Sequence, residues 1–171
     1  VHDHHNPRRV GPRAASLMSD RLSCRWERLA TLLAEPNARD MILEYWEELT
    51  IFDGPLDVDW DRMARGEEAG NFKVWAARVN GTLAGFVAFW IEPYVLSKCT
   101  LFAIDGSHFL APAFRDKGRV GYRMWSSLKP ALRAEGVKMA LLHDNTARAL
   151  MPFFLAIGAE PRSTWFWWDL R

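Results

Sequence analysis

Apolar positions near the N-terminus recur at helical spacing and predict helices. The pattern predicts a helix over 24–35, which Pro36 ends, and a second helix that begins after Asn37. A third, short helix is predicted over 59–65. The apolar residues that define the faces of the first two helices are Trp26, Leu29, Leu33, Ile42, Tyr45, Trp46 and Leu49.

The middle of the chain predicts strands. Asn80-Gly81 separates apolar runs at 72–79 and 82–91, and this dipeptide is the strongest short hairpin signal because both turn positions favour positive φ. The second run is apolar on both faces, so we expect a sheet covered on both sides. A third strand is predicted from about 100 to 110.

The last third of the chain alternates helices with strands. A helical stripe ends at Gly136, a buried strand follows over 137–142, and Asn145 would cap another helix. Pro152 predicts a kink or a late start in that helix. A C-terminal strand is predicted over 164–170. The order of elements predicts an α/β fold whose sheet is antiparallel early and parallel across the strand–helix–strand unit.

Composition describes one ordinary globular domain. The chain has 171 residues, and its net charge of +1 gives no electrostatic case for a nucleic-acid partner. Cys24 and Cys99 lie far apart, so they indicate neither a disulfide framework nor a zinc site, and a reduced cytosolic setting fits them better than secretion. No apolar stretch reaches the length of a membrane span, so we expect no membrane partner.

The first residues read as an extension outside the fold. VHDHHNPRRVGPR lacks the apolar middle of a signal peptide, and Met18 begins a more ordinary segment. We expect a flexible extension over 1–17 and a folded domain over 18–171. The histidines at 2, 4 and 5 are candidate metal ligands, but no later residues supply a matching set, so no metal site is predicted.

A basic turn with glycines carries the candidate chemistry. FLAPAFRDKGRVGYRM (109–124) ends a strand and begins a helix whose first N–H groups are unpaired and whose dipole end is positive. Gly118 and Gly121 allow close approach to the backbone, and the basic residues of the turn add charge. These features predict an anion site, with a solvated basic helix start as the alternative. The spacing fits neither a P-loop nor a Rossmann turn. The basic residues are Arg115, Lys117, Arg119 and Arg123.

The order of strand, basic turn, helix, short strand and Asn-capped helix, followed by FFLAIGAEP, resembles the GNAT superfamily of acyl-CoA-dependent N-acetyltransferases. The resemblance covers about 20–171 in element order and 72–160 in motif detail. Arg115 to Gly118 fits the first part of the family's cofactor loop, whereas the next small residue is expected at Val120 and comes one later, at Gly121. EPYVLSKCTLFAIDGSHFLAPAFR is also similar to acetyltransferase-like proteins encoded by bacteriophages.

The resemblance implies a GNAT-like mixed, mostly antiparallel central sheet flanked by helices on both faces, with acetyl-CoA as co-substrate. It implies that Phe109, Leu110 and Ala111 present backbone groups to the pantetheine arm and the thioester. Asn145 would touch the coenzyme arm or serve as a plain helix cap. The residues implied around the pyrophosphate are Arg115, Lys117, Gly118, Arg119, Val120, Gly121 and Tyr122.

Amine acetylation needs a base for the ammonium and an acid for the leaving thiolate. Asp105 is the first candidate base, because an apolar strand should not carry a charge there; the alternative is a hydrogen-bonded turn with Gly106. His108 is the second candidate, although a regular strand would send it to the other face unless Gly106 forms a bulge, and it reads equally as a buried structural imidazole. Glu92 is the third. Phe154 stands where the family often has a tyrosine acid; the substitutes considered are His143, Tyr122 and Tyr94.

The resemblance therefore implies an N-acetyltransferase that moves acetyl to a primary amine by direct attack, in the cytoplasm of a bacterium or phage-infected cell. The acceptor is a small molecule or a protein. The alternative is a GNAT-fold protein with a binding, phage structural or host-interaction role, and a homodimer or phage assembly contact is a candidate partnership. The segments 44–65 and 92–98 are expected to line the acceptor side. Their acidic residues predict a cationic amine: Glu47, Glu48, Asp53, Asp57, Asp59 and Asp61.

Overall fold

The computed structural model describes residues 21–49, 54–115, 119–144 and 150–162. Several predictions fall outside these residues: the N-terminal extension with its histidines, Asp53, the loop residues Lys117 and Gly118, the cap Asn145, and the strand over 164–170.

Five described strands form one sheet in chain order. Each neighbouring pair from β1 to β4 is antiparallel, and β4 pairs with β5 in parallel. The predicted hairpin joins β2 to β3, and its turn residues Asn80 and Gly81 have φ values of 52° and 87°. The mixed, mostly antiparallel sheet is confirmed. The strands are β1 Leu22–Glu27, β2 Phe72–Val79, β3 Thr82–Tyr94, β4 Ser97–Leu110 and β5 Val137–Leu141.

Helices cover both faces of this sheet, as expected. On one face α1 and α2 place Leu32, Ala38 and Met41 against apolar residues of β2, β3 and β4. On the other face α4 and α5 place Trp125 and Phe154 against the same strands. The helices are α1 Leu29–Leu33, α2 Ala38–Leu49, α3 Trp60–Glu68, α4 Arg119–Ala134 and α5 Met151–Ala156, and a 3₁₀ turn spans Pro112–Phe114.

The predicted first helix over 24–35 is wrong. Its first part is strand β1, in which partly buried and exposed positions alternate up to the buried Glu27, and only Leu29–Leu33 is helical. Trp26 pairs with Trp75 of β2, and their ring centroids lie 5.0 Å apart. The apolar residues of this stretch fit both the helical period and the strand period. Pairing with β2 selects the strand.

A buried ion pair holds β1 to β2. The Arg78 guanidinium donates from Nε and Nη2 to the two oxygens of Glu27, each at 2.8 Å, and from Nη1 to Glu35 at 2.7 Å. These bonds from Arg78 hold the pKa of Glu27 below its usual value. The pair therefore ties the edge strand and the turn after α1 to the centre of the sheet.

The last described helix begins late. The structure starts α5 at Met151, with Pro152 in its first turn, where a missing N–H costs nothing. Of the two outcomes predicted from Pro152, the late start is the observed one.

Candidate active site

The strands β4 and β5 separate in the middle of the sheet. Their parallel pairing runs from Leu101 opposite Val137 to Ile104 opposite Leu141, where β5 ends. Strand β4 continues for six more residues, to Leu110. A gap therefore opens beside the second half of β4.

Backbone groups of β4 point into this gap. The N–H of Ala111 donates to the Ala84 carbonyl of β3 at 2.9 Å. Successive N–H groups of a strand point to alternate sides. The N–H groups of His108 and Leu110 consequently point away from β3, toward the gap.

A bulge at Gly106 brings Asp105 and His108 together. Ser107 lies opposite Ala88 and Asp105 opposite Phe89, so Gly106 has no partner in β3. The extra residue turns both side chains to the α4 face, where His108 Nδ1 lies 2.7 Å from Asp105 Oδ2. The bulge considered from the sequence is present, and it makes these two residues a pair.

The pair is enclosed by protein. The Asp105 side chain is 1% exposed and that of His108 is 17% exposed. The His108 ring packs edge-on with those of Trp125 and Phe154, at centroid distances of 5.6 and 6.1 Å. A carboxylate at Nδ1 fixes the tautomer that carries its proton there, which leaves a lone pair on Nε2. The arrangement can therefore accept a proton at Nε2.

One oxygen of Asp105 has no hydrogen-bond partner among the described residues. This oxygen is Oδ1, and it is fully buried. An unpaired buried carboxylate oxygen is costly unless another group, such as a bound ligand or water, reaches it. A structural histidine–carboxylate pair would normally use both oxygens, so the free oxygen favours a functional role for Asp105.

Tyr45 of α2 also reaches this site, and the sequence reading missed its role. It packs with the α1/α2 side of the core, with its ring 6.3 Å from that of Phe109. Yet its ring also lies 6.5 Å from that of His108, which projects to the α4 side. The two rings can meet only across the open edge of β4. The helical pattern had counted Tyr45 as an apolar-face residue, and nothing local marked it for chemistry.

Burial raises the pKa of Tyr45, and the negative charge of Asp105 raises it further. A hydrogen bond from the His108 backbone N–H lowers this pKa, but its effect is smaller than those of burial and of Asp105. The phenol therefore keeps its proton well above neutral pH.

Arg115 is held by α2 and by the end of β4. Its Nη1 and Nη2 donate to the two oxygens of Glu48 at 2.8 and 3.1 Å, and its Nε donates to the Leu110 carbonyl. The guanidinium also lies 4.9 Å from the centre of the Phe109 ring. The sequence predicted Arg115 as part of an anion site and Glu48 as an acceptor-side acid. The structure pairs the two, so Arg115 fixes the start of the loop against α2.

Helix α4 begins next to the gap. The N–H groups at its N-terminus, from Arg119 to Gly121, have no partner within the helix. A Cβ at Gly121 would lie 3.4 Å from Leu110 Cδ2, an ordinary contact, so this turn lies against the end of β4. Val120 is buried with Val79 and Ala84. Val120 stands where the family pattern has a small residue, and its buried side chain anchors the start of α4.

The structure does not bring Glu92 to the Asp105–His108 pair. Glu92 is exposed, pairs with Phe102 three positions along β3 from the Phe89–Asp105 pair, and lies on the other face of the strand. Two of the substitute acids are also remote or exposed: Tyr94 lies at the β3–β4 turn and Tyr122 is half exposed on α4. Phe154 is buried against Trp125 and His108, so its ring fills the core at the expected acid position.

A groove of about 240 Å³ lies elsewhere, on the outer side of β5 between α4 and α5. Its lining includes Leu128, Val137 and Ile157 and none of the predicted catalytic residues. Its titratable lining residues, Lys129, Arg133 and Lys138, are all cationic, and neither Asp105 nor His108 lines it. Within the described ranges, no group of three or more His, Cys, Asp or Glu could hold a metal ion, and no helix is long and apolar enough to cross a membrane.

Comparisons with known proteins place the fold. No protein-family model matches the chain, and no curated protein matches it. Solved structures do. An aminoglycoside acetyltransferase from an uncultured soil metagenomic sample, in complex with trehalose, is 13% identical with a TM-score of 0.68, covering 91% of this chain and 100% of that one.

Two further solved structures are also similar to this chain. A ribosomal-protein-alanine N-acetyltransferase from Brucella melitensis biovar Abortus 2308 is 14% identical with a TM-score of 0.66, covering 88% of this chain and 97% of its own. A predicted acetyltransferase from Clostridium acetobutylicum, with acetyl-CoA, is 12% identical with a TM-score of 0.61, covering 88% of this chain and 97% of its own. The likeness to phage proteins stays a prediction. The five-stranded sheet with helices on both faces is therefore the fold of the GNAT acetyltransferases.

Proposed function

We propose that this protein transfers the acetyl group of acetyl-CoA to a primary amine. The observation that carries the proposal is the Asp105–His108 pair at the gap between β4 and β5, with Nδ1 2.7 Å from Oδ2. This pair lies on the strand that leads into the basic helix start. A base, a gap into which backbone N–H groups point and an anion-binding helix end are the parts that acetyl transfer from a phosphorylated coenzyme needs.

The coenzyme would lie along β4 and reach the start of α4. Backbone groups of Phe109, Leu110 and Ala111 would contact the pantetheine arm. The N–H groups from Lys117 to Tyr122 would bind the pyrophosphate, since a helix N-terminus favours negative charge. Arg115 would position this loop through Glu48, and Asn145 would contact the arm. The Clostridium structure of the same fold contains acetyl-CoA, which supports this coenzyme.

The Asp105–His108 pair would supply the base. Nε2 of His108 takes a proton from the ammonium, directly or through a water molecule, and Asp105 stabilises the resulting imidazolium. The amine nitrogen then bonds to the thioester carbon, and the C–S bond breaks. The second proton lost by nitrogen balances the charge of the departing thiolate. The products are an N-acetyl amide, the coenzyme thiol and one released proton.

The acceptor proposed is a cationic amine. Helix α2, which carries Tyr45, also carries exposed Glu44 and Glu47, and exposed Asp57 and Asp61 lie before and within α3. Carboxylates near the acceptor side attract a positively charged substrate. The aminoglycoside acetyltransferase of the same fold acts on a cationic amine class, which supports this proposal. A panel in which only neutral or anionic amines react would contradict it.

Calorimetric titration of acetyl-CoA tests the coenzyme site. Two variants of one helix give a matched comparison: Arg119→Glu at the start of α4 and Arg133→Glu at its end, both exposed and both changing the net charge by the same amount. An acid in the first turn suits the helix dipole, so Arg119→Glu should fold normally.

We expect micromolar binding to the wild type and to Arg133→Glu, and at least tenfold weaker binding to Arg119→Glu. No binding to the folded wild type would contradict the proposed function. It would favour the alternative of a GNAT-fold binding protein, for which Phe154 at the usual acid position is the supporting observation.

A further inference from the structure

Tyr45 is the one tyrosine placed to act in the gap. The chain has three tyrosines, and all three are described. Tyr94 and Tyr122 are exposed, whereas Tyr45 is partly buried beside the rings of His108 and Phe109. Because Phe154 has no hydroxyl, Tyr45 supplies the only phenol next to the Asp105–His108 pair.

The hydrogen-bond direction at Tyr45 leaves its proton free to donate. The His108 N–H points into the gap, and its hydrogen bond with Tyr45 lowers the pKa of the phenol, as a donor to the phenolic oxygen does. A phenol can accept and donate at once. The backbone bond therefore occupies the oxygen and orients the ring, while the hydroxyl proton remains for a group that enters the gap.

The protonation state of Tyr45 decides whether the phenol acts as a proton donor or as a hydrogen-bond donor. Burial and the Asp105 charge raise the pKa of Tyr45 above its usual value, so the phenol is a poor proton donor toward a thiolate, whose conjugate acid has a pKa of about 8.5. A phenol that keeps its proton is suited to donate a hydrogen bond to a developing negative charge.

We propose that Tyr45 is a catalytic residue whose hydroxyl donates a hydrogen bond to the thioester carbonyl oxygen as the amine attacks. The inference rests on the proposed acetyl transfer. As the C–N bond forms, the carbonyl π electrons move to the oxygen, and Tyr45 stabilises this oxyanion without giving up its proton. When the oxyanion re-forms the carbonyl, the C–S bond breaks and the thiolate leaves. The ammonium proton goes to His108, so Tyr45 ends each cycle unchanged.

The test variant is Tyr45→Phe, which removes one oxygen atom and keeps the ring contacts with His108 and Phe109. Tyr94→Phe is the matched control, because it removes the same oxygen from an exposed residue at the end of β3, away from the gap. The first readout is isotope-edited infrared spectroscopy of acetyl-CoA carrying ¹³C at the thioester carbonyl. The second is steady-state kinetics, and the third is calorimetric binding of acetyl-CoA.

In the wild type and in Tyr94→Phe, the bound carbonyl band should lie below its frequency in free acetyl-CoA. In Tyr45→Phe the band should return toward the free value, and kcat should fall about 10²-fold with little change in the KM for acetyl-CoA. A purely structural Tyr45 would lower Tm without moving the band.

The experiment distinguishes failure of the Tyr45 role from failure of the proposed function. An unshifted band in wild type, or an unchanged band and kcat in Tyr45→Phe while the wild type binds coenzyme and acetylates amines, would overturn the role of Tyr45 alone. A wild type that binds no acetyl-CoA would overturn the proposed function and this inference together.

Discussion

Replacing Asp105 with asparagine removes the charge that fixes His108 and changes almost no volume. His108 Nδ1 donates to Asp105 Oδ2 at 2.7 Å, whereas Oδ1 has no partner among the described residues. Asparagine must therefore choose between two poor arrangements. If its NH₂ group faces Nδ1, that nitrogen must accept, and Nε2 carries the proton and can no longer act as a base. If its oxygen faces Nδ1, a buried NH₂ takes the place of Oδ1.

The size of the effect follows from these two arrangements. A hydrogen bond to a charged group contributes about 1.5–3 kcal/mol, and general-base catalysis contributes about 10²–10⁴-fold in rate. An unsatisfied buried NH₂ costs about 1–3 kcal/mol of stability. We expect kcat of Asp105→Asn to fall about 10²–10⁴-fold, with Tm lowered by a few degrees.

The assay follows the free coenzyme thiol during acetylation of a cationic amine, together with calorimetric binding of acetyl-CoA. The control is Asp40→Asn, which makes the same change at an exposed position in the first turn of α2. Coenzyme affinity should hardly change in either variant, because backbone N–H groups are proposed to bind it. A kcat within threefold of wild type in folded Asp105→Asn would refute the role of the pair as base.

Three further outcomes follow from the same contacts. Asp105→Asn should lower the pKa of Tyr45, since a nearby negative charge is removed; NMR titration with ¹³Cζ-labelled tyrosine measures it, and an unchanged value would contradict the proximity. Arg78→Met should destabilise the fold by about 3 kcal/mol, because it leaves the buried Glu27 carboxylate with only the exposed Arg25 as an ionic partner, and adding Glu27→Gln should recover part of that loss in urea unfolding. The folded pKa of Glu27 is lowered, so its stabilisation is present above the usual glutamate value of 4.5 and is lost as the pH falls below it; Tm measured from pH 6 to 3 should fall less steeply in Glu27→Gln, and parallel curves would refute this.

The sequence predicted most of the sheet, because its strands carry strong local signals. Asn80-Gly81 specified the hairpin, and the apolar run after it specified a strand buried on both faces. Strand β1 was missed because Trp26, Leu29 and Leu33 also fit a helix. Only the pairing with β2, some fifty residues away, shows that the first part of this stretch is a strand.

The candidate site was predictable only in part. Asp105 stood out as a charge inside an apolar strand, and Gly106 made a bulge conceivable. The contact of His108 with Asp105 depends on that bulge, which β3 fixes through its register. Tyr45 and the Glu48–Arg115 pair join α2 to β4 over more than sixty positions, so no local pattern could reveal them.

Backbone NMR during addition of acetyl-CoA tests the central claim most directly, because it reports where the coenzyme binds. The account predicts chemical-shift changes at the amides of His108 and Leu110 and at the first turn of α4, from Arg119 to Tyr122. The amides that line the groove outside β5, such as Lys129 and Lys138, should change little. Changes confined to that groove, or no changes at saturating acetyl-CoA, would contradict a coenzyme site between β4 and β5.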